Sequence, residues 1–491
     1  MDSQEFDLLV IGGGINGVAI ACDAAGRGLS VCLCDQGDLA SATSSWSTKL
    51  IHGGLRYLEQ YEFRAVKKAL QERDVLMTKA PFLVKPLEFI LPHVPSLRPA
   101  WMVRLGLRLY DFLDSGSSLP RSKRLKLQES IYGMPLKPNY KTGFSYHDCY
   151  ADDARLVVLT ARHAEQHGAV IMPRTRCRSA ERQQDYWRVE LEGDDEKSSL
   201  IKAKVIVNAS GPWVQSVATE TMKSHCVKAV TLVQGSHFVV PRCYQGDHAY
   251  IFQSSDGRVI FTVPFHHDYT LVGTTDQVFS GDLYQPTMSD DERDYLCREV
   301  NAYLRQSLTV QDILWSYSGV RTLYSGGDGE SASKISREYH LLIDEEAEAA
   351  PAIHVVGGKI TSHRVLADEV LELLSTYFPD MKSAWTKLAY LPGGNLLGLT
   401  ATQALESLHK TFDWLPETLM QRYWDSYGME VRVLLEGCQA LTDLGQCFGA
   451  DLYVKEVDFL CSHEWAMTAD DILWRRSKLG LQLSTEQRHA L

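Results

Sequence analysis

Apolar runs set the rhythm of the N-terminal part of the chain. Phe6 to Ile11 reads as a strand, Ile15 to Arg27 as a helix rich in Ala, and Leu29 to Asp35 as a second strand, together a βαβ unit. From Glu59 to Lys79 the period is helical, with Phe63, Val66 and Leu70 at three- and four-residue spacing and charges between them as a solvated face. Residues 80–145 are rich in Pro and hold no long regular period. Asp153 to His167 returns to a helix and Val205 to Val207 to a short buried strand, where the first domain is expected to resume. Between 225 and 315 the runs shorten to Ser236 to Val240, Val259 to Val263 and Thr270 to Gly273, which predicts an antiparallel sheet. A capping box, Ser289-x-x-Glu292, opens a covering helix there. Ile353 to Val356 is a further strand, leading through Gly357-Gly358 into a helix that runs to about Tyr377. Beyond Leu391-Pro392-Gly393-Gly394 the texture is helical, with a start signal at Thr468-x-x-Asp471.

The 491 residues exceed what one ordinary core holds, so two or three domains are expected. Apolar residues at 45% and charged residues at 23% exclude a disordered chain. No apolar run is long enough to cross a bilayer, and no signal peptide is expected. The net charge of −12 disfavours nucleic acid, so attraction to anions must come from local patches. Eleven cysteines without a C-x-x-C pair indicate neither a disulfide framework nor a zinc ribbon, and point to a reducing, cytosol-facing protein with no metal site.

Gly12-x-Gly14-x-x-Gly17 follows the first strand and opens the first helix, and Asp35 closes the next strand. Glycines at this spacing allow a tight turn, close approach of backbone N–H groups to a pyrophosphate, and helix packing, while the carboxylate accepts ribose hydroxyls. The motif alone does not separate FAD from NAD. Two more glycine turns, Asn208-Ala209-Ser210-Gly211 and Gly357-Gly358-Lys359-Ile360-Thr361, tilt the reading to FAD, since both can pack against one extended ligand. The second aims helix N–H groups at the flavin edge where negative charge develops on reduction.

The run from Thr43 to Tyr57 is the most unusual. Thr43, Ser44, Ser45, Ser47 and Thr48, with Lys49, Leu50, His52, Gly53, Gly54 and Arg56, make poor core material. They suit a loop that touches phosphate or ribose and then crosses close to a planar ring. His52 is a candidate proton acceptor, with a structural role the even alternative, and Arg56 a candidate anion fork. Thr275 and Asp276 read equally as a turn cap.

These segments, with Asp152-Asp153-Ala154-Arg155-Leu156, Gly273-Thr274-Thr275-Asp276, Tyr317-Ser318-Gly319-Val320-Arg321 and Asp470 to Arg476, resemble the aerobic, FAD-dependent glycerol-3-phosphate dehydrogenases of bacteria. The resemblance implies a homodimeric, monotopic enzyme on the cytoplasmic face of the inner membrane. It would oxidise sn-glycerol 3-phosphate to dihydroxyacetone phosphate, with the hydride going from C2 to flavin N5 and the electrons to membrane quinone. It places Arg321 and Lys359 at the substrate phosphate, with Arg56 and Tyr57 in the same pocket. His52, Arg56 and Arg321 are the expected catalytic set, with His52 the first candidate for the C2 hydroxyl proton and a guanidinium-assisted or water-mediated route the second. The expected FAD contacts are Gly12, Gly14, Gly17, Asp35, Thr43, Ser44, Ser45, Lys49, Leu50, His52, Ala209, Gly211, Gly358, Lys359, Ile360 and Thr361. The chain departs from the family pattern at Thr322, where the family has Pro, and at Ser362 and His363, where it has Thr and Tyr. An oxidase that uses oxygen, and a flavin protein without turnover, are the rival readings.

The fold class expected is α/β: a Rossmann-like FAD-binding domain with a β-rich substrate domain and a C-terminal helical domain. The FAD-binding domain is assembled from residues 1–80, 146–224 and 316–387, the sheet of the substrate domain spans 225–315, and the helical domain spans 388–491. Residues 81–145 are a membrane-facing or substrate-domain insertion. From Arg98 to Lys126 the local charge is +5, and on a helix Trp101, Met102, Leu105, Leu109, Phe112 and Leu113 share a face beside Arg104 and Arg108. Such a segment suits an anionic lipid surface, or equally a core or dimer contact, and the resemblance favours the lipid. The Trp474 to Lys478 cluster is the next candidate.

Overall fold

The computed structural model describes residues 4–228, 230–254, 256–324 and 338–491, without the side chains of Arg56 and Gln60. Its first sheet is mostly parallel, in the order His340–Asp344, Ala352–Val356, Ser198–Asn208, Gln4–Ile11, Val31–Cys34, Val170–Met172. The alternation of the strands explains the layering. Leu8, Val10, Val31, Leu33, Val205 and Val207 pack against the helices Ile15–Gly26, Asp153–Gln166 and His363–Leu374. Leu9, Ile11, Cys32, Cys34 and Ile206 face the other way, onto Trp187, Val189 and Leu191 of a β-hairpin. With both faces covered, these strands are apolar throughout, as parallel sheets require.

A second sheet of ten strands lies beside it, antiparallel except where Ala249–Gln253 runs parallel to Lys85–Pro92. One face, with Phe238, Val240, Tyr250 and Val272, is covered by Leu296 and Val300 of the helix Asp290–Asn301. The Ser289 capping box is formed: Glu292 N donates to Ser289 Oγ at 3.2 Å and Ser289 N to Glu292 Oε2 at 2.9 Å. Glu292 also takes the Thr275 hydroxyl, which accounts for that residue as structural. The other face, with Phe89, Leu91, Ile251 and Tyr317, meets Val66 and Leu70 of the helix Phe63–Lys79 and Leu107 and Tyr110 of the helix Ala100–Leu113.

The second sheet also takes Lys85–Pro92, from the 81–145 insertion, and Thr142–Tyr150. The boundary at 316 falls inside the strand Trp315–Tyr324, which pairs along Val230–Pro241 from Val239↔Trp315 to Val230↔Tyr324. Apolar runs reveal a strand but not its partner. The run Val205 to Val207 is the buried end of an eleven-residue strand, Ser198–Asn208, whose first half mixes exposed Ser198, Ser199 and Leu200 with buried Ile201.

The C-terminal region, with helices Ala401–Thr411, Glu417–Tyr427 and Val454–Glu464, docks onto the first domain through buried charges. Arg476 binds Asp38 at 2.7 and 2.8 Å, Lys478 binds Asp152 at 2.6 Å, and Arg155 forks onto Glu464. Burial alone would raise the Asp152 carboxyl, but Lys478 and Lys49 beside it hold it down at about 2. The Trp474 to Lys478 cluster is therefore no lipid surface: Arg476 and Lys478 are buried, and Trp474 stacks on Trp315 at 4.8 Å.

Candidate active site

A cavity of about 1880 Å³ opens between the two sheets. It exceeds the roughly 300–1,000 Å³ of a site for one small ligand, leaving room for a dinucleotide and a second molecule. Its floor is the glycine turn at the end of the first strand. Gly12 has φ +117°, and a Cβ there would lie 2.5 Å from Ala209 O. Gly17 does not line the cavity; its missing Cβ would lie 1.8 Å from Gly12 O, so its role is to seat the helix on the turn. Gly14 is the N-cap of that helix and faces the cavity, where the helix N-terminus favours an anion.

Asp35 lines the same end, with its carboxylate accepting from Gly13 N at 2.5 Å and Gly37 N at 2.8 Å. Burial pushes its pKa up to about 6 against those two bonds. Ser44 Oγ accepts from Ile15 N at 2.9 Å, and Thr43 Oγ1 donates to Val320 O at 2.6 Å, so the hydroxyl loop ties the first domain to the second. Both residues, with Leu50, line the cavity. The side chains of Ser45 and Lys49 do not line it. Ser45 Oγ donates to Ala40 O at 2.6 Å, and the Lys49 ammonium is buried on Asp153 at 2.7 Å and Ser45 O at 3.0 Å. A buried ammonium needs a carboxylate, and Asp153 is the one at hand.

The other two glycine turns converge on the first. Ala209 N donates to Ile11 O at 2.9 Å, Gly211 follows with φ +57°, and Asn16 Nδ2 donates to Gly357 O at 3.0 Å. Asn16 Oδ1 is buried at the cavity wall with no partner. Thr361 fixes His52 from behind, accepting from its N–H at 3.3 Å. Gly358, Lys359, Ile360 and Thr361 line the cavity beside it.

Polar and charged groups also line the cavity. His52, Tyr57, Arg321 and Lys359 all line it, and the Lys359 ammonium sits 4.1 Å from the centre of the Tyr57 ring. Arg321 reaches over Gly235, where a Cβ would lie 2.4 Å from its Nη2. The Arg56 side chain lies outside the described residues. One residue was missed: His237, whose Nε2 bonds Thr48 Oγ1 at 2.8 Å and whose ring stacks on Tyr317 at 5.0 Å. Burial, then Arg321 and Lys49, hold its pKa well below the usual histidine value. The sequence carried only a strand signal there.

A glycine cradle at a helix N-terminus, a carboxylate at a strand end, an unpartnered amide oxygen and a third glycine turn fit FAD laid along the cavity. Residues 7–372 match the family model described as FAD dependent oxidoreductase. The chain belongs to that family, and FAD is its cofactor. The resemblance to the aerobic glycerol-3-phosphate dehydrogenases holds over nearly the whole length. The chain is 48% identical to the glycerol-3-phosphate dehydrogenase of Pseudomonas aeruginosa, over 99% of this chain and 94% of that one. It is 44% identical to the aerobic enzyme of Escherichia coli (98% and 95%), and 45% to the D-erythritol 1-phosphate dehydrogenase of Brucella abortus (100% and 97%). Among solved structures, the glycerol-3-phosphate dehydrogenase from Bacillus halodurans complexed with FAD shares the fold, with a TM-score of 0.75 at 24% identity, covering 100% of this chain and 93% of that one.

Gly14 gives a selective test of the cradle. Its φ is ordinary and a Cβ would sit 3.1 Å from Ser44 Oγ, which must shift by a few tenths of an ångström to admit it, and the side chain would project where the pyrophosphate approaches. Gly14→Val is expected to purify folded and colourless. The check is flavin released per chain on denaturation, beside circular dichroism of the fold.

Proposed function

We propose that the chain oxidises sn-glycerol 3-phosphate to dihydroxyacetone phosphate, with bound FAD supplying the hydride acceptor at flavin N5 and the electrons leaving to a membrane quinone. The observation that carries this reading is that a guanidinium, Arg321, and an ammonium, Lys359, both line the cavity. A phosphate dianion is expensive to desolvate, and a planar guanidinium fork with a point ammonium offsets its charge. Lys359 is steadied by the Tyr57 ring, and Arg321 by its seat over Gly235. Gripped there, the substrate presents C2 to the segment that carries His52, whose ring accepts the hydroxyl proton. Arg56 completes the set by the family resemblance.

The identity with the Brucella relative supports a second reading, a longer phosphorylated polyol such as D-erythritol 1-phosphate, in a cavity with room for it. Initial rates on the two substrates decide between them.

No helix of the described residues is long and apolar enough to cross a membrane. We take the reading of a homodimer held peripherally on the cytoplasmic face of the inner membrane as part of the proposal. The helix Ala100–Leu113 supports it, exposing Trp101 (65%), Leu105 (59%) and Phe112 (71%) on one side with Arg108 among them. The stripe is narrower than expected: Leu109 and Leu113 are half-buried, and Arg104 is engaged with Ser122 at 2.9 Å. Lys123, Arg124 and Lys126 add exposed charge alongside.

Two outcomes follow. Arg321→Ala and Lys359→Ala should each lower kcat/KM for glycerol 3-phosphate roughly thirty- to several-thousand-fold, the cost of about 2 to 5 kcal/mol for one partner of a bound dianion, while flavin content stays near normal. Steady-state kinetics with a dye acceptor measure this. Arg108→Glu with Arg124→Glu should weaken co-sedimentation with anionic vesicles about thirtyfold or more, at roughly 1 kcal/mol per charge, and leave dye reduction intact.

A further inference from the structure

The active-site segment between His52 and Tyr57 is held from beneath by Tyr110 and Arg73, which do not line the cavity, and by Asp148, which does. Gly53 N donates to Tyr110 Oη at 3.0 Å and lies 3.4 Å from Asp148 Oδ1. Tyr110 Oη in turn donates to Asp148, at 2.8 Å from Oδ2 and 2.9 Å from Oδ1. Arg73 Nη1 binds Asp148 at 2.9 Å, while its Nη2 binds Asp114 at 2.6 Å and Asp74 at 2.8 Å. Arg73, Tyr110 and Asp148 are all 2% exposed or less. A Cβ on Gly53 would lie 2.6 Å from Leu70 Cγ and 2.7 Å from Tyr110 Oη, so the amide is pressed onto the phenol.

The consequences run both ways along the chain. One residue earlier is His52, whose own N–H is fixed by Thr361. One residue later Gly54, at φ +76°, starts the turn Leu55–Gln60, in which Tyr57 N donates to Gly54 O at 2.8 Å. Tyr57 thereby arrives beneath Lys359. The Gly53 amide is the fixed point between the candidate proton acceptor and the ring that steadies the phosphate ammonium.

We propose that Tyr110, backed by Asp148 and Arg73, is a positioning residue that sets His52 and Tyr57 in the cavity through its hydrogen bond from the Gly53 amide. A phenol that donates to a carboxylate is polarised toward accepting, which strengthens the bond it takes from Gly53. A buried ion pair that served stability alone has a well-packed apolar replacement as good or better, whereas an amide aimed at one oxygen needs that oxygen. The proposal rests on the functional reading given above for what His52 and Tyr57 do.

The test is Tyr110→Phe, purified as holoenzyme, with four measurements: flavin content, unfolding midpoint, visible circular dichroism of the bound flavin, and the rate of anaerobic flavin bleaching by saturating sn-glycerol 3-phosphate. Flavin content and midpoint are expected near those of the unmodified protein, the flavin dichroism changed, and bleaching about tenfold slower, the effect of one buried hydrogen bond. Unchanged dichroism and rate would overturn the proposal. So would a rate that falls only in proportion to lost flavin or folded protein, because the network would then hold the fold and not the segment. If the unmodified protein itself is not bleached, the functional reading fails, and the flavin dichroism alone decides whether Tyr110 positions the segment.

Discussion

Close approach of backbone to one extended ligand, at the ends of three adjacent parallel strands, is the constraint on which the rest of the molecule depends. Gln4–Ile11, Ser198–Asn208 and Ala352–Val356 are neighbours in the first sheet, and each ends in a glycine turn. The turns leave almost no space between them: Gly12 abuts Ala209 O, and Gly358 abuts the Asn16 amide that is bonded to Gly357 O. Because the three strands come from far apart in the chain, the intervening segments must leave and return. The second sheet is what those excursions build, and the C-terminal helices follow the third strand. The cavity lies where the excursions fold back over the turns.

Charge burial follows from the same convergence. The hydroxyl loop that runs from Thr43 to Thr48 has one apolar anchor, Trp46, whose ring lies 5.3 Å from Tyr317 and 6.0 Å from Trp315. Its polar groups are fixed by Asp153, which takes Ser47 Oγ at 2.7 Å and the Lys49 ammonium at 2.7 Å, and by Thr43 on Val320 O. Asp152, next in the chain, takes Lys478 of the C-terminal region. The Asp152-Asp153-Ala154-Arg155 run therefore joins all three parts of the protein, with Arg155 forking onto Glu464. Such pairs add little net stability over apolar packing, but losing one partner strands the other, so they enforce a single arrangement.

The nucleotide-binding half of this architecture was legible in the chain because its signals are local. Gly12, Gly14 and Gly17 sit between an apolar strand and an Ala-rich helix, and the Ser289 capping box names its own partner three residues on. What was not legible depended on partners distant in sequence. Lys49 reads as a phosphate contact until Asp153 is placed against it, and His237 reads as one residue of a strand until Thr48 and Tyr317 are placed around it. Tyr110 and Asp148 carry no motif; only the fold brings them to Gly53. On the helix Ala100–Leu113 the apolar period was readable, but which residues it exposes was set by the sheet beneath.

The account stands on a reduced polyol phosphate delivering its hydride inside this cavity. Anaerobic titration of the holoenzyme with sn-glycerol 3-phosphate, followed by a short-chain quinone and, separately, by NAD, tests that most directly. The yellow flavin absorbance is predicted to bleach in proportion to substrate added and to return with the quinone and not with NAD. Flavin that stays yellow under excess substrate, with D-erythritol 1-phosphate tried beside it, would contradict the account.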